Sequence, residues 1–275
     1  MPHVLGLSEE QEMIVETVRD LVNDKIKPRA QKYDDTGDFP EDNIKELGEL
    51  GIIGMTVKEE YGGFGSDQLT YTAVMEEISR GCAATATTVA GTNSLAVMPI
   101  QDFGSEELKK KFLPILCEGN KLGAFALSEP QAGSDVAALK TRAQRESDEF
   151  VINGSKIYIT NAIVADLFIV FARSLDIPGY KGLSAFVVPA DTDGLHVHPK
   201  ERKMGIVASP TSAMSFENVR IPTNYLIGNE GDGFKIALET LNSGRITVAA
   251  QAVGIAQAAF NDALKFSKER EQFNQ

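Results

Sequence analysis

The spacing of the apolar residues changes twice along this chain, and these changes restrict the fold more than any other feature of the sequence. In the first part, apolar residues recur at the spacing of one helix face. Between Leu122 and Ile227 they form short alternating or continuous runs separated by turn residues, which is typical of β-strands. From Gly233 the helical spacing returns. The sequence therefore predicts an α+β protein with an N-terminal all-α domain at 1–120, a middle antiparallel β-barrel or sandwich domain at 121–230, and a helical segment at 231–275.

Capping residues and helix breakers predict where several helices begin and end. Ser8 and Gln11 form a capping-box pattern, and the first helix is predicted to run until Pro28. Ser105 is predicted to cap a later helix, which Pro114 disturbs. In the last segment, Asn242-Ser-Gly244 is predicted to interrupt the helix before a long alanine-rich continuation, whose apolar face has little to pack against.

Composition narrows the classes of partner and compartment. The net charge of −12 and the pI near 4.8 argue against nucleic acid and anionic membranes, because either would require a basic face. Only Cys82 and Cys117 are present, which favours a reducing compartment. No apolar run approaches the roughly 20 residues of a membrane helix, and the start of the chain lacks a signal-peptide pattern. We therefore expect a cytoplasmic protein, or alternatively a mature protein of the mitochondrial matrix.

The stretch Ala124–Asp135 has the features of a ligand-binding loop. An apolar strand runs into a turn that is rich in hydroxyls, carboxylates and glycine. Pro130 fixes one backbone angle, and Gly133 permits the backbone to approach a bound group closely. Ser128 and Ser134 add hydrogen-bond donors and acceptors.

A second stretch, Asn153–Ala162, begins with an Asn-Gly pair that predicts a turn feeding a short strand. Tyr158 and Thr160 are expected on the same face of that strand. An aromatic ring beside a hydroxyl suits a flat heteroaromatic ligand. From their spacing alone, the two stretches fit ordinary hairpin corners equally well.

Taken together and in this order, the motifs resemble those of the acyl-CoA dehydrogenase family of flavoproteins. The resemblance runs from Leu7 to Gln275, and it includes the two stretches above and four further motifs at 60–65, 228–234, 245–254 and 270–273. It implies an N-terminal helical domain, a β-barrel-like middle domain and the incomplete start of a C-terminal four-helix bundle. It also implies FAD as the cofactor, bound without a Rossmann motif.

The resemblance assigns ligand contacts to individual positions. Tyr158 stands where the family more often has tryptophan, and Asn274 replaces a usual glycine beside the Arg270 motif. The arginine matching Arg270 reaches the flavin pyrophosphate of a neighbouring subunit in the family, which implies a homo-oligomer, either a dimer or a tetramer. Positions implied to bind the cofactor are Phe125, Leu127, Ser128, Gly133, Ser134, Tyr158, Ile159, Thr160, Arg270 and Phe273. Positions implied to bind the acyl-CoA substrate are Ser134, Asn242, Gly244 and Arg245, although an ion pair with a carboxylate is an alternative role for Arg245.

The implied reaction is the α,β-dehydrogenation of an acyl-CoA thioester to the trans-2-enoyl-CoA, with electrons passed to an electron-transfer flavoprotein. It requires a carboxylate base, which most family members carry beyond the position of Gln275 and a minority carry at the position of Gly244. Glu129 matches a structural residue of the family. We therefore expect a piece of a longer enzyme, or a heteromer in which a second chain supplies the helical half. The alternatives are a non-catalytic subunit and a relative that uses oxygen, such as an acyl-CoA oxidase.

Two other patterns carry weaker hypotheses. His196 and His198 alternate on a predicted strand and so point the same way, but without a third ligand they predict no metal site. The glycine-rich run 228–233 lacks the Lys-Ser/Thr of a phosphate-binding loop, and its carboxylates would repel phosphate. It is predicted to be the turn that enters a helix.

Overall fold

A computed structural model describes residues 6–119 and 121–273 of the chain. Its first part is helical, and the sequence-predicted caps are present. Ser8 Oγ accepts from the Gln11 amide and Gln11 Oε1 accepts from the Ser8 amide. The Ser105 hydroxyl accepts from the Leu108 amide. The helices are α1 (Glu9–Leu21), α2 (Lys27–Thr36), α3 (Glu41–Glu49), α4 (Gln68–Gly81), α5 (Ala83–Ala90), α6 (Met98–Phe103) and α7 (Glu106–Cys117).

The prediction that the first helix ends at Pro28 is wrong. A π-helical segment, Val22–Ile26, joins α1 to α2, and Pro28 lies in the first turn of α2. A second π-helical segment, Gly91–Val97, precedes α6 in the same way, and Pro99 follows it. The wider π-turn changes the hydrogen-bond pattern just before each proline, where a regular helix would clash with the ring. Pro114 lies inside α7, which continues to Cys117.

The helical core is built around α4. Tyr71, Val74, Met75 and Ile78 on this helix are buried and belong to the same apolar cluster as Val15, Val18 and Val22. Burial of side chains of this size contributes about 1.5–3 kcal/mol each relative to exposure. Helix α4 is therefore the central element of the N-terminal part.

The second part is an eight-stranded sheet. Its main path has the order β6-β7-β3-β2-β4-β5-β8, and β1 pairs with β4 beside that path. The strands are β1 (Gly123–Ala126), β2 (Arg142–Glu146), β3 (Glu149–Thr160), β4 (Leu167–Arg173), β5 (Leu183–Pro189), β6 (Leu195–Lys200), β7 (Thr211–Pro222) and β8 (Leu226–Ile227).

The sheet is mixed, and in this respect the antiparallel prediction is only partly right. The pairs β2–β3, β3–β7, β4–β5, β5–β8 and β6–β7 are antiparallel, whereas β1 and β2 both pair with β4 in parallel. The predicted Asn153-Gly154 turn is also wrong, because both residues lie inside β3. They form a bulge there, where the β3–β7 register shifts between Ile152 and Gly154. An added Cβ on Gly154 would lie 2.6 Å from Thr141 Oγ1, so only glycine permits this approach.

The chain then returns to helix in α8 (Gly233–Glu269), which the run 228–233 introduces as predicted. The predicted interruption at Asn242-Ser-Gly244 is wrong, because α8 is continuous through these residues. Gly244 is buried there and faces Leu95, so tertiary packing outweighs its poor helix propensity. Towards its end α8 exposes Val253, Phe260 and Phe266. Within residues 6–119 and 121–273, none of the helices has the combination of length and apolar composition that a membrane-spanning segment needs.

Candidate functional site

The loop that follows β1 is closed on itself and tied to β3. Glu129 and Ala132 exchange backbone hydrogen bonds of 2.9 and 3.0 Å, which form a tight turn around Pro130. The Ile157 amide of β3 donates to Ser128 O at 3.0 Å. Further along, Gly133 and Ser134 are exposed, and a Cβ added to Gly133 would meet nothing within 4 Å. The loop is therefore held rigidly at its start and is open to a ligand at its tip.

A buried ion pair lies beneath this loop. Lys156 Nζ lies 2.8 Å from Glu129 Oε1, and both side chains are inaccessible to solvent. Burial lowers the pKa of Lys156 to about 8 although Glu129 opposes this change. Burial by itself would raise the pKa of Glu129, but the charge of Lys156 and the hydrogen bonds from Lys156, Thr141 and Lys140 hold it below its usual value. Glu129 is thus committed to a structural pair, as the resemblance implies.

A second bulge places Tyr158 on the outside of β3. The register with β7 shifts between Lys156 and Ile159, and Tyr158 adopts a left-handed backbone conformation with φ of +59°. Lys156 and Ile159 are consequently both buried although they are three residues apart, while Tyr158 is 65% exposed and Thr160 is half-buried. The phenol ring is thus accessible to solvent two residues before the half-buried Thr160.

Asn161 fixes the end of β3 to the helical part. Its side-chain Nδ2 donates to Thr88 O on α5 at 3.0 Å and lies 3.4 Å from Gly123 O on β1. Its amide donates to Pro210 O at 2.8 Å. Its buried Oδ1 has no hydrogen-bond partner among the described residues. The sequence interpretation missed both Asn161 and Lys156. Alternation counted from Ile152 places Lys156 on the buried face, and this was the available signal.

A separate cavity of about 290 Å³ lies between the π-helical segment at 91–97 and α8. Its wall is mostly apolar, and the predicted substrate positions Gly244 and Arg245 belong to it. Arg245 Nη1 donates to Asn242 Oδ1, and within the described residues it forms no ion pair with a carboxylate. The residues that line the cavity are Ala90, Ser94, Leu95, Leu241, Gly244, Arg245 and Val248.

A buried chain of hydroxyls runs behind this cavity. Ser94 Oγ lies 3.1 Å from the Tyr71 hydroxyl and 2.9 Å from Thr247 Oγ1. Burial raises the pKa of Tyr71 well above its usual value, so this phenol stays neutral. The chain therefore connects α4, the π-helical segment and α8 without any charged group.

Most of the predicted contact positions lie either on β1, its loop and β3, or beside the cavity at α8, but two of them do not. Phe125, Leu127, Ser128, Gly133, Ser134, Tyr158, Ile159 and Thr160 are on β1, its loop and β3. Arg270 and Phe273 are exposed beyond the end of α8. Because Arg270 is 25 residues after Arg245, the helix rise of about 1.5 Å per residue puts them roughly 37 Å apart. They cannot bind the same part of one ligand within one chain.

Two further observations concern the histidine pair and the position of the base. His196 and His198 are exposed on β6, and the described residues contain no group of three His, Cys, Asp or Glu side chains arranged to hold a metal ion. No carboxylate lines the 290 Å³ cavity within the described residues. Gly244 therefore faces the cavity, and none of the described residues that line the cavity can act as a carboxylate base there.

Comparisons with known proteins show which family the chain is similar to. The family models described as the N-terminal, middle and C-terminal domains of acyl-CoA dehydrogenase match residues 8–120, 124–219 and 231–275. The short-chain specific acyl-CoA dehydrogenase of Clostridium acetobutylicum is 44% identical over 268 residues, which are 98% of this chain and 71% of that protein.

Two solved structures have the same fold. The butyryl-CoA dehydrogenase of Megasphaera elsdenii superimposes with a TM-score of 0.95 and 43% identity, covering 98% of this chain and 71% of that one. A chain from the structure of the electron transferring flavoprotein of Acidaminococcus fermentans has a TM-score of 0.95 and 42% identity, with the same coverage. From the family models and from this identity, the chain belongs to the acyl-CoA dehydrogenase family.

Proposed function

We propose that this chain forms the N-terminal and middle parts of an FAD-dependent acyl-CoA dehydrogenase. It would convert an acyl-CoA thioester to the trans-2-enoyl-CoA and pass the electrons to an electron-transfer flavoprotein. The observation that carries this proposal is the fixed placement of an exposed tyrosine ring and a threonine hydroxyl beside an open, rigidly anchored loop. We expect the protein in the cytoplasm or, as a mature chain, in the mitochondrial matrix.

The flavin site in this proposal is formed by β1, its loop and β3. The exposed ring of Tyr158 offers a flat apolar face, Thr160 offers a hydroxyl, and the open space at Gly133 lets the backbone approach a bound group. When bound, FAD supplies the acceptor for the hydride that leaves the β-carbon. The cofactor contacts are assigned to Phe125, Leu127, Ser128, Gly133, Ser134, Tyr158, Ile159 and Thr160, and to Arg270 and Phe273 of a neighbouring subunit.

The placement of Arg270 favours an oligomer. Its side chain is exposed just beyond the last residue of α8. A cation in that position is free to approach the pyrophosphate of a flavin held by a second copy of the chain. We therefore assign a homodimer or homotetramer in which each flavin is held by two subunits.

The substrate site in this proposal is the 290 Å³ cavity at α8. Its apolar wall suits an acyl chain, and the names of the compared relatives support a short one. Arg245 lies at the edge with its charge free of carboxylates among the described residues, so it can bind an anionic or carbonyl oxygen of the thioester's CoA part. The assigned contacts are Gly244 and Arg245, which line the cavity, Asn242, which accepts a hydrogen bond from Arg245, and Ser134 at the tip of the loop after β1.

The described residues that line the cavity include no carboxylate that could act as the base. In this proposal, the α-proton is removed by a residue outside these 275, either in the same polypeptide or in a second chain. The coverage of 71% of the compared relatives leaves room for such a residue. The alternative is a subunit that keeps this fold to bind a partner and does not catalyse.

The first test is the intact mass of the polypeptide from its native source, together with a check for copurifying chains. The FAD-loaded protein from that source, together with any chain that copurifies, is then mixed with butyryl-CoA without oxygen, and the flavin absorbance is followed. Bleaching supports the dehydrogenase, whereas flavin that stays oxidised supports the non-catalytic subunit. Fast reoxidation in air would identify an acyl-CoA oxidase instead.

The variant Arg245→Gln tests the substrate site in the same assay. It should raise the butyryl-CoA concentration needed for half-maximal bleaching. The matched control is Arg220→Gln, because Arg220 pairs with Glu146 and Glu149 on the sheet surface. An equal effect of both substitutions would contradict the assignment of Arg245.

A further inference from the structure

The buried ion pair of Lys156 and Glu129 has a large desolvation penalty. Both side chains are withdrawn from water, with a 2.8 Å contact between Nζ and Oε1. Removing two charges from water costs several kcal/mol per ion, and an apolar pair of similar size is often as stabilising or more so. Stability alone therefore does not explain the pair, and its other contacts must be considered.

Those contacts hold both ends of the ligand-binding loop. Lys156 Nζ also donates to Leu127 O at 2.9 Å, where β1 ends and the loop begins. The Glu129 carboxylate accepts from the Lys140 amide at 2.6 Å and from the Thr141 amide at 3.0 Å, where the loop leads into β2. An apolar pair would leave these three backbone groups without partners, which costs about 1–3 kcal/mol each.

The pair also determines where Tyr158 lies. Lys156 and Tyr158 are on either side of Ile157, whose amide donates to Ser128 O. The bulge that turns Tyr158 outwards lies between Lys156 and Ile159. Anchoring Lys156 under the loop thus fixes the distance between the tyrosine ring and the loop tip at Gly133 and Ser134.

We propose that Lys156 and Glu129 are positioning residues, which hold the loop at 127–134 and the outward-facing Tyr158 at the separation that an isoalloxazine ring requires. This inference rests on the proposed function, since it names the residues that shape the flavin site without touching the flavin. A residue that only stabilised the fold would change the unfolding free energy but not the affinity of the folded protein for FAD.

The test compares Lys156→Met with the control Lys121→Met. Lys121 forms an ion pair of 2.7 Å with Asp166 in the same domain, but this pair is partly exposed and lies at the other end of β1. Hydrogen exchange is measured on the protein without FAD, and the affinity for FAD is then measured by quenching of flavin fluorescence. Lys156→Met should speed up exchange at 128–141 and at Ile157, and weaken FAD binding by at least about tenfold. Lys121→Met should leave both unchanged.

If Lys156→Met does not fold, the double variant Lys156→Met/Glu129→Gln removes the unpaired buried charge and takes its place. Its exchange at 128–141 should also increase and its FAD binding should weaken by a similar factor. A folded variant that binds FAD as the wild type does would overturn this inference and leave the proposed function intact. A wild-type protein that does not bind FAD would overturn the proposed function itself, while the exchange pattern would still show whether the pair orders the loop.

Discussion

The side chain of Asp67, at the start of α4, has well-defined hydrogen-bond partners. The Asp67 carboxylate caps α4, and one of its oxygens accepts from the Thr70 amide and the Thr70 hydroxyl, both at 2.7 Å. The other oxygen accepts from Gln11 Nε2 on α1 at 3.0 Å. One residue thus satisfies an orphan amide of the central helix and also joins two helices.

We expect Asp67→Ala to lower the free energy of unfolding by about 1 kcal/mol, the usual cost of losing an N-cap side chain. Asp67→Asn keeps an oxygen that accepts from the Thr70 amide and should cost less. Asp20→Ala, at an exposed position within α1, serves as the control and should have little effect. Denaturant unfolding of the three variants at pH 7 decides the order, and an equal loss for Asp67→Ala and Asp20→Ala would contradict the capping role.

Glu46 gives a prediction about pH. Hydrogen bonds from Arg29 at 2.9 and 3.1 Å, followed by one from Lys25, lower its pKa although burial acts against them. Because the folded-state pKa is lower than the unfolded one, which is near 4.5, the unfolded state binds the proton more readily. The stabilisation that ionised Glu46 gives the folded state is fully present above the unfolded-state pKa of 4.5. It is lost as the pH falls through the folded-state pKa.

Glu46→Gln should therefore reduce stability most at neutral pH. The difference in unfolding free energy from the wild type should shrink as the pH is lowered below about 4.5. The measurement is denaturant unfolding of both proteins between pH 7 and pH 3.5. A difference that stays constant over this range would mean that Glu46 contributes through packing rather than through its charge.

At the scale of the elements, two glycines of α8 have unequal surroundings. A Cβ on Gly254 would lie 2.2 Å from Glu76 O on the backbone of α4. A Cβ on Gly244 would lie 3.1 Å from Leu95 Cδ2, the flexible end of a side chain. The close approach of α8 to α4 thus depends on Gly254, whereas Gly244 leaves more room for adjustment.

The pair Gly254→Ala and Gly244→Ala tests this difference within one helix. Alanine favours a helix interior over glycine by about 1 kcal/mol, so both changes would stabilise an isolated α8. We expect Gly254→Ala to lower the melting temperature because it separates α8 from α4, with a cost of about 1–3 kcal/mol for overpacking. Gly244→Ala should leave the melting temperature unchanged or raise it. Equal shifts in thermal unfolding would show that the α8–α4 contact tolerates a methyl group.

The elements also show which parts of the fold could be predicted from the sequence. Periodicity and caps correctly predicted the helical and β parts and the starts at Ser8 and Ser105, because these signals are local. The helix-breaking residues at Pro28 and at Asn242-Ser-Gly244 led to wrong predictions. A π-turn keeps the first helix continuous up to Pro28, and packing against Leu95 accompanies the continuous α8 at Gly244. The Asn153-Gly154 pair predicts a turn, yet it becomes a bulge because Thr141 packs against it. These outcomes depend on contacts between distant residues.

The candidate site was predictable to a similar extent. The loop after β1 and the Tyr158–Thr160 segment were identified from their residue types and from the family resemblance. Their coupling through Lys156, Glu129 and Asn161 was not, because alternation along a strand indicates that Lys156 is buried but does not identify its distant partners. The roles assigned to the individual contact residues remain predictions.

At the scale of the whole molecule, α8 contacts both the helical part and the sheet. At its start, Gly233 packs against the backbone of β5, where an added Cβ would lie 2.6 Å from the Ser184 amide nitrogen. Further along, the Thr247 hydroxyl bonds to Ser94 at 2.9 Å, and Ser94 in turn contacts Tyr71 of α4 at 3.1 Å. Loosening α8 should therefore affect both parts of the molecule together.

Thr247→Val removes one of the hydroxyls that link α8 to the helical part and keeps nearly the same shape. We expect a loss of about 1 kcal/mol, because one buried hydrogen bond between distant segments disappears. Thr240→Val is the matched control, since Thr240 is equally buried on the same helix, but among the described residues its hydroxyl bonds only to Ile236 O of that helix. It should be neutral. Unfolding is followed by far-ultraviolet circular dichroism and by hydrogen exchange in β5. If Thr247→Val shifts the helical signal but leaves β5 protected, the two parts unfold independently and α8 does not couple them.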